Sequence, residues 1–196
     1  MTVFITSDIH LNHRNILQYC PHRGGPEVTD ENVDKMNEMI IRNWNSMITP
    51  NDEVFILGDV AMGRIDKAPD LIRRLNGIKY LVRGNHDKTL TRVNEDGTRY
   101  SDDLFVWVRD YFEYTHKVDG KKYSMSMSHF PFASWNGMNR SSIHFHGHTH
   151  GSPTGVTGRT MDVGMDTNGM FPYTMDEAVR RMAKIEVMRD HHSEEK

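Results

Sequence analysis

The chain has 196 residues, with 24 Lys+Arg against 27 Asp+Glu and a formal net charge of -3. That length holds one domain with a real core, and the composition, 37% hydrophobic and 26% charged, is that of a soluble globular protein. The charge balance excludes a diffuse polyanion-binding surface and leaves a local phosphate site open, Cys20 as sole cysteine excludes an intrachain disulfide, and no apolar run approaches the ~18 residues of a membrane span.

Thr2 to Ser7, rich in Val, Phe and Ile, predicts a buried strand that delivers Asp8 and His10. Leu11 to Val28 holds Pro21, Gly24, Gly25 and Pro26 and predicts a loop. Asp30 is the predicted N-cap of a helix carrying Val33, Met36, Ile40, Trp44 and Met47 on one face, broken at Pro50-Asn51-Asp52. Glu53 to Leu57 is a second strand, ending in Gly58-Asp59. A helix from about Pro69 to Leu75 closes at Gly77, and a third strand, Tyr80 to Val82, delivers Gly84-Asn85-His86-Asp87. Strand, helix, strand in that rhythm predicts parallel pairing, with a ligand gathered at the strands' carboxyl ends.

The second half predicts a hairpin over 111–129 turning at Asp119-Gly120, in which Tyr123, Met125 and Met127 alternate with Ser124, Ser126 and Ser128. Ser142 to His146 and Thr160 to Val163 are further strands. Thr174-Met175-Asp176-Glu177 is a capping box opening a C-terminal helix. One domain is expected over 1–188, with 189–196 a disordered tail. Met1 to Ser7 is too short and too soon followed by Asp8 to be a signal peptide, so a cytoplasmic protein without a membrane partner is expected.

Histidine is overrepresented, at 12 residues. Asp8, His10, Asp59, Asn85, His129, His148 and His150 are metal-ligand types drawn from five separated segments. Mixed carboxylate and imidazole donors without a thiolate suit Mn, Fe, Zn, Ni or Co. Seven donors are too many for one ion. They suit two ions sharing a bridging carboxylate, for which Asp59 is the natural choice. Such a site stays positive, attracts an anion and acidifies a bridging water to hydroxide for in-line attack on a phosphoester. His86, beside Asn85, is positioned to protonate the leaving oxygen.

Asp8-Ile9-His10, Gly58-Asp59, Gly84-Asn85-His86-Asp87, His129 and Gly147-His148-Thr149-His150 appear in the order of the motifs of the calcineurin-like metallophosphoesterase superfamily, which this chain resembles. Within it the chain looks like the small bacterial and phage phosphoesterases, through Ser7 to His13, Asn43-Trp44-Asn45, Ser134 to Gly137 and Asp162 to Asp166. The resemblance implies an α/β fold, a four-layer α–β–β–α sandwich of two mixed sheets. It implies that Asp8, His10 and His150 hold one metal, that Asn85, His129 and His148 hold a second, that Asp59 bridges, and that His86 is the acid or a phosphate-stabilising donor. Manganese is placed first among the metals. The phosphoprotein phosphatases carry an Asp three residues after the bridging Asp, then Arg-Gly. Met62, Gly63 and Arg64 stand there instead, so that activity is not implied and the orienter of His86 is unnamed.

The expected activity is hydrolysis of a phosphodiester, with a nucleotide-type or other small substrate. A nuclease acting on short DNA or RNA, a phosphomonoesterase and a non-catalytic scaffold are the alternatives. His13, Arg64 and Arg140 are candidate substrate contacts, with Arg14 a further candidate for phosphate. Phe132 and Trp135 could stack a base or pack. Asp162 and Asp166 could brace histidines or cap turns. His146 is expected to support the site from the strand face of His148, His144 to be structural, and His116, His191 and His192 to lack partners.

Overall fold

The computed structural model describes residues 1–63 and 67–187; the predicted tail and Arg64 lie outside them. Among the described residues, nine strands form two mixed sheets. The first contains β1 (Val3–Thr6), β2 (Glu53–Ile56), β3 (Ile78–Val82), β4 (Val108–Arg109) and β9 (Tyr173–Thr174), in the order β4-β3-β2-β1-β9. β1 to β4 are parallel neighbours, and β9 runs antiparallel to β1. The second contains β5 (Phe112–Val118), β6 (Lys121–Met127), β7 (Ile143–His146) and β8 (Thr160–Asp162) in sequence order. There β5 and β6 form the predicted hairpin, and β6, β7 and β8 pair parallel. Asp119 and Gly120 both have positive φ, 50° and 81°, as a two-residue hairpin turn requires.

Alternation along each strand sorts the core. Phe4, Val54, Ile56 and Leu81 face one way and pack with Val33, Met36, Ile40 and Trp44 of the long helix and with Ile72. Ile5, Phe55, Leu57 and Val82 face the other way, toward Met125, Met127, Ile143 and Phe145 of the second sheet. The apolar runs at 3–6 and 53–57 therefore lack a polar face because both sides of the sheet are covered. The helices are α1 (Ile16–Tyr19), α2 (Asp30–Met47), α3 (Ala68–Arg73), α4 (Lys88–Thr91) and α5 (Met175–Ala183). α5 sets Met175, Ala178 and Val179 into the core shared by the sheets. The result is the expected pair of mixed sheets with flanking helices.

Local differences from the sequence reading have simple causes. Thr29, not Asp30, caps α2, because its hydroxyl accepts Asn32 N–H. Met47, at the last turn of that helix, is 36% exposed. The 11–28 loop contains α1 and a 3₁₀ turn at Pro21–Arg23. Thr174 caps α5 as predicted, accepting Glu177 N–H, while the Glu177 carboxylate turns to Arg181. His116 has a partner, Asp176 Oδ1 at 2.7 Å, which ties β5 to α5.

Asp52 anchors the start of the first sheet. Its carboxylate accepts from Thr2 N at 2.6 Å, Thr49 N at 2.9 Å and Thr49 Oγ1 at 2.7 Å. Those bonds, the Thr2 amide first, hold its pKa at about 2. A depressed carboxyl stabilises the fold above its unfolded value, near ~3.9, and that contribution disappears as pH falls through the folded value. Urea titrations should therefore find Asp52→Ala less stable than wild type at neutral pH. The difference should shrink as the pH falls toward about 2; a pH-independent difference would show that the charge is irrelevant.

Candidate metal centre

The five predicted segments meet at the carboxyl ends of β1, β2, β3, β6 and β7. The chain beyond β1 stays paired with the chain beyond β2, through Asp8 N to Gly58 O and His10 N to Asp59 O, both 3.0 Å. Asp8 and His10 nevertheless leave the extended conformation of β1. Asp8, His10, Asn12, Asp59, His148 and His150 all have positive φ, between 49° and 72°. Left-handed backbone is uncommon outside Gly and easiest for Asn, Asp and His. Here it turns donors inward from consecutive tight bends while Ile9 stays buried between them. Gly84 and Gly147 are required by close approach: a Cβ on Gly84 would overlap Asp59 Oδ1, and one on Gly147 would overlap Ser7 Oγ and Asp8 Oδ2.

The predicted donors fall into two groups. Asp8, His10 and His150 form one, and Asp59, His129 and His148 the other. Asp59 Oδ2 stands between them, 3.7 Å from His10 Nε2 and 3.5 Å from His129 Nε2. Asn85 Oδ1 lies 3.0 Å from His129 Nε2 and joins the second group. Asp8, His10, Asp59 and His129 are buried; His148, His150 and His86 open to solvent above them.

Hydrogen bonding at the far side of two of the rings fixes what they present to the centre. His129 Nδ1 donates to Leu57 O at 2.7 Å, and His150 Nδ1 to Asp166 Oδ2 at 2.6 Å. A carbonyl and a carboxylate can only accept, so the neutral rings present Nε2 lone pairs inward. His150 Nε2 faces Asp8 Oδ1 at 3.8 Å, and His10 Nε2 faces the same oxygen at 3.8 Å. Asp8 Oδ1 and His10 Nε2 are buried without any hydrogen-bond partner. Buried polar atoms left unpaired are costly. Lone pairs converging at these separations have the spacing of donors around one ion, about 3–4 Å apart when each is roughly 2.0–2.3 Å from it. The residues therefore fit divalent cations.

Their electrostatics agree. Burial opposes ionisation of Asp8, yet the neighbouring His10 imidazole, the charge of His129 and the Ser7 hydroxyl outweigh it and hold the pKa at about 2. Burial pushes His10 and His148 down, toward the neutral form that ligates. His13, beside His10, is held near 3 by burial and then by the imidazoles of His10 and His86. For His150, burial acts downward, but the Asp166 bond prevails and raises it.

Supporting residues lie around the donors. Asp162 accepts Thr149 Oγ1, Gly151 N and Gly164 N, so it braces the turn that carries His148 and His150. Asp166 braces His150 directly. His146 donates to Gly147 O at 2.9 Å. His144 is structural, sandwiched by Phe132 and Trp135 with ring centroids at 5.1 and 5.3 Å. Those two aromatics therefore pack. Phe130, which no sequence pattern marks, is 46% exposed and sets its ring 4.7 Å from that of His148.

His86 leans over the centre, its Nε2 3.9 Å from Asp59 Oδ2 and its backbone N–H bonded to Asp59 Oδ1 at 2.9 Å. Asp87 closes the Gly84-Asn85-His86-Asp87 segment. Its buried carboxylate accepts from Gly84 N, Asp59 N and Val60 N and locks the two loops together. Arg23 was not anticipated at all: it is buried, and it donates to Asp8 O, Ile9 O and both Asp166 oxygens. Its flanking prolines and glycines signal only a loop. Arg140 is not brought to this centre; it lines a pocket with Glu113, Ser124, Asn136 and Ser142 on the second sheet. Arg14 is engaged by Asp30 and Val28 O.

Two mixed sheets presenting Asp, Asn and His donors at their carboxyl ends are the framework of a metallophosphoesterase. The chain belongs to the calcineurin-like phosphoesterase family, whose model matches residues 1–152. An uncharacterized protein of Methanocaldococcus jannaschii is 39% identical over 88 residues, a match spanning 44% of this chain and 47% of that protein. The gene 66 protein of Mycobacterium phage D29 is 28% identical over 94% of this chain and 97% of its own length, and that of phage L5 25% identical over 85% and 87%. A protein of unknown function from Aquifex aeolicus shares the fold, with a TM-score of 0.64 at 20% identity over 92% of this chain and 98% of that one.

Proposed function

We propose that this chain hydrolyses a phosphodiester with the help of two divalent ions. The observation that carries this reading is Asp59, whose Oδ2 lies between two sets of inward-facing lone pairs. Asp8, His10 and His150 would hold one ion and Asn85, His129 and His148 the other, with Asp59 shared. Mn²⁺ is the first metal to try, since oxygen and imidazole donors suit it along with Fe, Zn, Ni and Co. When bound, such ions polarise phosphoryl oxygens and acidify a water.

The chain's own part is to orient and to move a proton. Asp59 holds the backbone of His86, and His86 Nε2 hands its proton to the departing oxygen. The preference for a diester is supported by the exposure of His148 and Phe130 at the mouth, which leaves room for a second ester group. The cytoplasmic assignment and a single domain over 1–188 belong to the same reading. Among the described residues no helix is long and apolar enough to cross a membrane.

Bis-p-nitrophenyl phosphate with Mn²⁺, against an EDTA control, is the direct test. Metal-dependent turnover is expected, and its absence with Mn²⁺, Fe²⁺, Zn²⁺, Ni²⁺ and Co²⁺ alike would overturn the reading. Substrates with a nucleotide or a short oligonucleotide in place of the aryl ester separate a small-molecule enzyme from a nuclease. His86→Ala should lower kcat by about 10²–10⁴-fold with bound metal unchanged. The loss should be larger for an alkyl leaving group than for p-nitrophenolate, which departs without a proton. Equal losses on both would remove His86 from the acid role.

A further inference from the structure

His13 follows the Asp8-Ile9-His10 segment by one turn, its N–H bonded to His10 O at 3.2 Å. The turn brings the two rings together, with His13 Nδ1 3.0 Å from His10 Nδ1. One of these nitrogens must carry the hydrogen. If His13 donated, neutral His10 would carry its own proton on Nε2. That atom is buried without a partner, and its neighbours Asp8 Oδ1 and Asp59 Oδ2 stand at 3.8 and 3.7 Å, beyond hydrogen-bond reach. A buried N–H would then be wasted, at a cost. The alternative leaves nothing unpaired except a lone pair: His10 Nδ1 donates, His13 Nδ1 accepts, and His10 Nε2 faces the centre bare.

We propose that His13 is a positioning residue that selects the tautomer of His10, so that Nε2 is the nitrogen offered to a divalent ion. The inference rests on the reading that Asp8, His10 and His150 hold one. Carbonyls and carboxylates usually fill this role, as Leu57 O and Asp166 do here for His129 and His150. An imidazole can fill it only in the accepting form, which in turn places His13's own proton on Nε2. The loop is fastened on both sides of His13. On one side of His13, Asn12 N donates to Asn37 Oδ1 of α2 at 2.8 Å; on the other, Arg14 is held by Asp30 and by Val28 O. The rings are tilted by 40° with centroids 4.9 Å apart, so the contact is made through the nitrogens rather than by stacking.

The test is metal affinity and tautomer state, both independent of turnover. Metal-free full-length protein is titrated with Mn²⁺, followed by electron paramagnetic resonance, for wild type, His13→Leu and His13→Asn. His13→Leu, similar in size but without an acceptor, should weaken one of the two Mn²⁺ sites about 10–100-fold. His13→Asn, whose side-chain oxygen can replace Nδ1, should recover most of that loss. Histidine ¹⁵N shifts of the metal-free protein should show the proton of His10 on Nδ1 in wild type and shared between nitrogens in His13→Leu. Equal Mn²⁺ affinity in the Leu and Asn variants, with the His10 tautomer unchanged, would overturn the proposal. Should His13→Leu fail to fold, His13→Asn against His13→Gln gives the same comparison, because Gln sets its oxygen a carbon further out. Protein that binds Mn²⁺ in this His13-dependent way but cleaves no phosphoester would refute the phosphoesterase reading alone.

Discussion

Asp59→Asn is expected to abolish metal-dependent phosphoester hydrolysis, with kcat reduced by at least about 10³-fold, and to leave the chain unable to retain both ions. The substitution is isosteric, so shape is not at issue. It removes the carboxylate whose Oδ2 lies within 4 Å of imidazole nitrogens of both donor groups: Asp59 Oδ2 is 3.7 Å from His10 Nε2, 3.5 Å from His129 Nε2 and 3.9 Å from His86 Nε2. Two divalent ions about 3.5–4 Å apart repel strongly without an anion between them. An amide carries no charge to screen that repulsion, and its NH₂ would face either the imidazole lone pairs or the backbone N–H of His86. Stability should respond in the opposite sense. Without metal, Asp59 and Asp8 confine two carboxylates in one buried space, and Asp8 Oδ1 has no partner. Removing one charge and supplying donors to the His10 and His129 nitrogens relieves that conflict. In EDTA, Asp59→Asn should therefore melt no lower than wild type, whereas in Mn²⁺ it should gain less from the metal. Retention of two ions by elemental analysis, with turnover near wild type, would defeat the bridging assignment.

The comparison of sequence with structure follows the range of each interaction. Apolar runs marked β1, β2, β3 and β7 because those strands are covered on one or both faces, and Asp119-Gly120 marked the hairpin because its left-handed backbone restricts the residue types. Ligand types were visible for a similar reason, since metal chemistry limits them. The path of the backbone through them was not. Asp8-Ile9-His10 alternates polar and apolar residues, as a half-buried strand does, and two left-handed bends give the same alternation with both donors turned inward. Thr29 and Asp30 are both good caps, and only the position of the Asn32 amide decides between them. β4 and β9 have two residues each and owe their pairing to neighbours far along the chain. His116 and Arg23 depended on Asp176 and Asp166, respectively 60 and 143 residues distant, and no local pattern announces such partners.

Arg23→Met should destabilise the fold by roughly 3–5 kcal/mol, the cost of removing the guanidinium from a buried ion pair. At about 2–4 °C per kcal/mol for a chain of this size, the melting temperature should fall by roughly 6–20 °C. Arg23 is fully buried and Asp166 is 3% exposed. Nε and Nη2 of the guanidinium reach Asp166 at 2.8 and 2.5 Å, while Nη2 and Nη1 donate to Asp8 O and Ile9 O at 2.7 and 2.9 Å. The last two bonds satisfy carbonyls of the left-handed segment that carries the donors, so the variant loses a charge partner and two backbone anchors together. Met fills the volume, which separates the electrostatic cost from that of a cavity. Burial alone would raise Asp166, but bonds from His150 and Arg23, and then the Arg23 charge, hold it well below the usual carboxylate range. A carboxyl depressed in this way stabilises the fold above its unfolded pKa of about 3.9 and ceases to do so in stronger acid. The gap between wild type and Arg23→Met should therefore be full at neutral pH and narrow below about pH 4. Arg23→Lys keeps the charge but cannot fork to Asp166 and also reach both carbonyls, so its loss should be intermediate. Double substitution with Asp166→Leu should be milder than the sum of the single changes, because the carboxylate that lost its guanidinium partner and kept only imidazole partners is then gone. Strict additivity in that cycle, or a loss under about 1 kcal/mol for Arg23→Met, would show that the guanidinium merely occupies space beneath the donors.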